Sequence, residues 1–213
     1  MTFKGYTAYD IEQLGKIERL NLINSCTGYK SANLMGTIGK EGELNVAVFS
    51  SITHLGSNPA LLGFILRPTT VPRDTYRNMK ETGYCTVNHI TAAQFEAAHH
   101  TSSSYDYGIS EFEQTALEPE FREGIAVPFV KNSPVQLLCK YLNEYPIHEN
   151  ETLHVILQIE GIWVNETLLT PDHWIRLDQG EVVCINGLDG YALPKLLDRL
   201  EYARPFQKQK SLL

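Results

Sequence analysis

A mainly β, antiparallel barrel with short helices at its ends is the fold class this sequence predicts, on three observations. Two long runs, "PVQLLCKYLNEYPI" and "TLHVILQIEGIWVNETLL", alternate apolar with polar residues and are separated only by the polar "HENE". That is the pattern of a long antiparallel pair with one face buried. Shorter strand-like runs surround this pair, six or seven strands in all. The helical stretches between them are brief and do not alternate one for one with strands, which argues against a parallel βαβ sheet.

The elements follow in order. "LMGTIG" and "LNVAVFSS" flank "KEGE", a β-hairpin with a glycine turn. The turn "GSNP" introduces the strand "ALLGFILR". A basic loop then enters the helix "TYRNMKET", which Asp74 or Thr75 can cap and Gly83 ends. "YCTVNHI" is the next strand. "TAAQFEAA" reads as a short helix capped by Thr91, and "HHTSSSYDYG" as a polar loop. "YDYGISEFE" fits either a lid or a surface loop. "SEFEQT" places Glu113 three residues after Ser110, a capping-box pattern. In the second long strand Leu153, Val155, Leu157, Ile159 and Trp163 are expected on one buried face. "GEVVCI" is a further strand and "PKLLDRLEYA" a terminal helix.

Composition bounds the function. The chain has 213 residues, 43% of them hydrophobic and 20% charged, with no linker or repeat. One globular domain over residues 1–213 is expected. A net charge of −7 opposes nucleic-acid binding, which needs a basic face. No apolar run approaches a membrane span, and "MTFKGYTAYD" lacks a signal-peptide core. Cys26, Cys85, Cys139 and Cys184 are scattered without a CxxC, as expected of reduced, mostly buried thiols in the cytoplasm. Without a secretory signal, the sequons at Asn150 and Asn165 read as chance. "GTIGKEG" is not a phosphate-binding P-loop, and no G-x-S-x-G elbow, HExxH or Cys/His ligand spacing occurs. Neither a catalytic triad nor a metal site is expected.

One stretch does carry chemistry. Arg67 and Arg73 bracket the start of the "TYRNMKET" helix. A helix start offers free N–H groups and partial positive charge, and arginine adds planar forks suited to phosphate. Thr75 and Asn78 can add neutral donors. A capped helix with solvated arginines fits the same residues, and Asp74 would repel an anion.

"ELNVAVFSSITHLGSNPALLGFILRP" followed by "RDTYRNMKETGYCTVNHI", then "SEFEQTALEP" before "SPVQLLCKYLNEY", then "LHVILQIEGIWVN", resembles the flavin reductase-like family of FMN-binding split-barrel proteins. The ordered series carries the resemblance, over roughly residues 20–190. It implies a six-stranded antiparallel split barrel of Greek-key type, with that span as its core, and a homodimer with FMN near the subunit interface. It also implies reduction of flavin by NADH or NADPH, electrons passing to an oxygenase or redox protein. An FMN electron carrier without nicotinamide turnover, or a flavin-free interaction barrel, are the alternatives. By the same resemblance Ser50, Ser51, Ile52 and Thr53 lie along the flavin ring. Arg67, Arg73, Thr75 and Asn78 hold the phosphate, and Asn88 is a further cofactor candidate. No general base is required, since hydride transfer is the cofactors' own chemistry.

Overall fold

The computed structural model describes residues 1–106 and 108–213. Two N-terminal helices, α1 (Ala8–Gln13) and α2 (Lys16–Ser25), bury no residue. Each starts with an acid three residues after its cap. Asp10 accepts the Thr7 N–H at 2.8 Å, and Glu18 accepts the Gly15 N–H at 3.1 Å. Strands β1 (Lys30–Ser31), β2 (Asn33–Ile38), β3 (Leu44–Phe49), β4 (Thr53–Ser57) and β5 (Ala60–Leu66) follow. Then come α3 (Asp74–Thr82), β6 (Tyr84–His89), α4 (Phe95–His100) and α5 (Glu111–Gln114). The chain continues through β7 (Pro119–Arg122), β8 (Ile125–Val130), β9 (Val135–Ile147), β10 (Thr152–Val164), β11 (Cys184–Asn186) and β12 (Gly190–Ala192).

The main sheet has seven strands in the order β3-β2-β6-β9-β10-β5-β4, each neighbouring pair antiparallel. β3 lies on one edge and β4 on the other, yet only Ser50, Ser51 and Ile52 connect them. Three residues cannot span an open sheet of that width. The sheet is therefore curled until its edges nearly meet, and the chain crosses between them in a split barrel.

The expected hairpin forms, with Asn33 opposite Phe49 and Ile38 opposite Leu44. Gly42, at φ 97°, supplies its turn. Inside the barrel Met35, Phe64, Val87, Cys139, Val155 and Leu157 make one core cluster; Leu34, Val46, Ile90, Phe112 and Val130 make a second outside it. Gly36 lies where β2 meets β8. A Cβ there would run into the Pro128 carbonyl, which accepts the Thr86 hydroxyl at 2.6 Å.

Several expectations need correction. Of the six or seven strands expected, the main sheet has seven; the one without an apolar run in the sequence, β4, is an edge strand with no fully buried residue. Trp163 does not share a face with Val155 and Leu157. A bulge between Ile159 and Gly161 reverses the alternation, and Trp163 packs on Phe129 with ring centres 5.1 Å apart. The cap of α3 is Arg73, not Asp74 or Thr75, while Gly83 ends the helix at φ 82° as expected. α4 begins after Gln94 rather than Thr91, because Thr91 is held in a bridge to Val182. Ser110 precedes α5 without a capping bond; Glu111 instead reaches the Val46 N–H at 3.0 Å. "PKLLDRLEYA" is not helical: residues 193–199 have no regular structure, and Leu200 pairs with Ser211. Tyr107, in the expected loop, lies outside the described residues.

Cys85 and Cys139 are buried and directly opposed on β6 and β9 as free thiols. Cys184 is half-buried and Cys26 exposed. Among the described residues no helix is long and apolar enough to cross a membrane.

Candidate functional site

The three-residue crossing is locked in place. The Ser51 hydroxyl accepts the Ile65 N–H at 3.1 Å and donates to the Ile65 carbonyl at 3.1 Å. It therefore stands in for a missing ladder partner on β5. Ser31 donates to the Ile52 carbonyl at 2.8 Å. Phe49 meets Phe64 edge to face, with ring centres 5.3 Å apart. Ser50 is half-buried and Thr53 exposed, and neither hydroxyl has a partner among the described residues. Backbone N–H groups and two spare hydroxyls thus lie along the split.

β5 runs from this crossing to the arginines. Arg67 follows Leu66, and Arg73 ends the loop at the start of α3. The Arg73 guanidinium makes no hydrogen bond or ion pair among the described residues, and its Nε is buried without a partner. Burial, and then the nearby charge of Arg67, push its pKa down. Arg67 is exposed and has no acidic partner among the described residues. Two like charges brought together without an anion leave an electrostatic deficit that an anion would relieve. Asp74 does not supply it to Arg73, being paired with Arg77 at 3.2 Å.

A cavity of about 230 Å³ opens between the loop and α3, lined by Thr69, Val71, Pro72, Arg73, Asp74, Tyr76 and Arg77. It falls below the roughly 300–1,000 Å³ of small-molecule pockets, so it could enclose only part of such a ligand. The free N–H groups of the first turn of α3 lie beside it.

Three sequence-predicted residues are not presented to this surface. Thr75 and Asn78 lie on the buried face of α3 with Met79, a spacing that turns them inward. Asn45 Nδ2 donates to the Thr75 hydroxyl at 2.9 Å, and Asn78 Nδ2 to the Thr37 hydroxyl at 3.3 Å. Asn88 is fully buried. It donates to the Leu34 carbonyl at 3.1 Å and the Thr86 hydroxyl at 2.9 Å, and accepts the Val130 N–H at 3.0 Å. Its amide has no capacity left facing a ligand, and it ties β6 to β2 and β8.

The sequence reading missed His154. On the outer face of the sheet its Nε2 lies hard against Gly63, which pairs with Thr53, so any side chain at 63 would displace it. Nothing in the sequence marks a strand histidine as covering a glycine two strands away from a loop end; the register reveals it.

The flavin reductase like domain model matches residues 29–179. A structure from Shewanella frigidimarina, assigned provisionally as a flavin reductase with split barrel domain, is 39% identical. It superposes with a TM-score of 0.91, covering 94% of this chain and all of its own. Nitrilotriacetate monooxygenase component B from Bacillus cereus shares the fold, at 20% identity and a TM-score of 0.81, over 94% of this chain and 100% of its own. So does flavoredoxin of Desulfovibrio vulgaris, at 19% identity and a TM-score of 0.69, over 84% and 92%. With its edges joined at residues 50–52 and the domain match running from β1 through β10, the chain belongs to the flavin reductase-like family of split-barrel proteins.

Proposed function

We propose that this chain binds FMN along the barrel split and is an NAD(P)H:flavin oxidoreductase. One observation carries the cofactor assignment: the unpartnered Arg73 guanidinium beside Arg67, at a helix start and a cavity of phosphate scale. The residues present fit an anionic, ring-bearing ligand. Arg67, Arg73 and the first-turn N–H groups of α3 would hold the phosphate. The N–H groups of residues 50–53 and the hydroxyls of Ser50 and Thr53 would face the polar edge of the ring. Ser51 and Ser31 keep that segment from shifting, so its donors are preorganised. Bound FMN supplies the hydride acceptor, with NADH or NADPH as donor.

The outer face of the sheet supports a homodimer. Ile65, His154 and Tyr145 stand three abreast on it, and Ile65, Tyr145 and neighbouring Leu55 are exposed. Reduced flavin would then serve an oxygenase or another redox protein. The fold shared with a flavoredoxin favours a second reading, an FMN electron carrier that does not react with nicotinamide.

The test is the visible spectrum of the purified protein with and without FMN, then anaerobic additions of NADH, NADPH and dithionite. Bleaching by either nucleotide is the expected result. Bleaching by dithionite alone would select the carrier. A protein that takes up no flavin would sink both readings.

A further inference from the structure

Among the described residues, little of the chain covers the apolar side chains of the C-terminal segment. Beyond residue 199 it turns back on itself. The Glu201 N–H donates to the Lys210 carbonyl at 3.1 Å, and the Leu212 N–H to the Arg199 carbonyl at 2.7 Å. Its base is pinned: Arg199 pairs with Asp172 at 2.7 Å and stacks on Trp174 at 4.7 Å. On either side of that anchor apolar side chains are bare. Leu197 is 89% exposed, Tyr202 is 88% exposed, and Phe206 is fully exposed. A fold-back arm that displays large apolar groups is an interaction element.

Its charge says what it fits. Residues 193–213 carry five Lys or Arg against two Asp or Glu, in a chain whose net charge is −7. The side chains of Arg204, Lys208 and Lys210 have no acidic partner among the described residues. With Glu201 and Gln207 they surround a concavity of about 420 Å³. The complementary surface is on the same chain. The turn joining β9 to β10 exposes Glu149 and Glu151 without basic partners among the described residues, next to the exposed Tyr145. Among the described residues no backbone hydrogen bond, β-bridge or ion pair joins arm and turn within one chain.

We propose that the arm docks on the β9–β10 turn of a second copy of this chain, basic residues on Glu149 and Glu151 and apolar tip against Tyr145. A twofold axis lets each copy give and receive one arm, so the contact closes. This proposal does not rest on the flavin reading: a colourless protein that exchanges arms would sink only the latter.

The experiment uses two full-length variants, Glu149→Lys/Glu151→Lys and Lys208→Glu/Lys210→Glu, followed by sedimentation over a dilution series at low salt. Each alone should dissociate at a concentration about tenfold or more above that of the unaltered protein. An equal mixture should recover, because each mixed pair restores both opposite-charge contacts, and only between chains. Reversals without effect, or a mixture as weak as its components, would overturn the proposal. A second measurement reads the contact itself: a carbodiimide links touching Lys and Glu in dimers assembled from ¹⁴N and ¹⁵N chains. A mixed-isotope peptide joining residues 208–210 to 149–151 is expected. Single-isotope links alone, or none, would refute arm exchange.

Discussion

Two arginines on this barrel live in opposite circumstances. Arg122 engages Gln136 and pairs with Glu120 at 3.6 Å. Its guanidinium stacks 5.1 Å from the Phe129 ring centre and 5.0 Å from that of Trp163, although its Nε also lacks a hydrogen-bond partner. Gln136 in turn donates to Glu120 at 2.9 Å and to the Val130 carbonyl at 2.8 Å. Asn88, opposite Gln136, completes a patch in which neighbours satisfy nearly every polar group. Among the described residues Arg73 has no carboxylate, amide or ring partner, only the charge of a second arginine nearby. Burial with partners stabilises a fold, whereas burial without them costs energy that a ligand can return. The first patch holds the barrel together; the second is where the proposed phosphate would sit.

The largest effect should come from the satisfied patch. Asn88→Ala strands the Val130 N–H and removes the amide donor from the Leu34 carbonyl and from the Thr86 hydroxyl, which keeps its own bond to the Pro128 carbonyl. A loss on the order of 4 kcal/mol in denaturant unfolding is expected, with flavin affinity of the folded fraction unchanged. A flavin-specific loss without destabilisation would return Asn88 to the binding site.

Next comes acid. Burial holds the His89 imidazole down to about 4, well below its usual value. The unfolded chain therefore takes up a proton that the folded one refuses. Stability should be full above about pH 6.5 and fall as pH drops toward 4, by about 3 kcal/mol in all. His89→Leu should flatten that part of the stability-pH curve; an unaltered slope would assign it to other groups.

Arg73→Ala should weaken FMN by about 10- to 100-fold, as for loss of a charged hydrogen bond. Riboflavin, which lacks the phosphate, should bind as before, and the unfolding midpoint should hold or rise. Equal losses for both ligands would remove the phosphate role. Ser51→Ala is the smallest, costing about 1 kcal/mol of stability from the reciprocal bond to Ile65. It should weaken FMN and riboflavin alike, since it loosens the ring segment and not the phosphate end.

The sequence made the barrel legible where a strand has one wet and one dry face. The long β9–β10 pair shows that alternation, whereas β2 and β6 are buried on both faces and β5 along most of its length, so they are legible only as short strand-like runs between turn signals. β4 shows no alternation, because both its faces are accessible, and Trp163 misled because a bulge is invisible to simple periodicity. The terminal helix failed for a different reason: its apolar spacing suits a helix, but Pro194 and Pro205 bracket it and no core awaits it. At the candidate site, Arg67 and the 50–53 segment lie at accessible strand ends and Arg73 at a helix start, positions that charge and strand ends mark locally in the sequence. Thr75, Asn78 and Asn88 were misread because donor chemistry does not say which way a side chain points. α3 turns two of them inward, and β6 seals the third.

The clamp between Ser51 and Ile65 makes β5 a ruler. From Ile65 to Arg67 the chain advances two residues, about 7 Å of extended strand. The strand cannot stretch, because the β10 ladder pins Ile65 opposite His154. A molecule touching both the crossing and the arginine is gauged by that fixed interval. One residue inserted between them would lengthen the gauge by about 3.3 Å and turn the arginine to the opposite face. Preference among flavins of different tail length would then be written into strand spacing as much as into any contact.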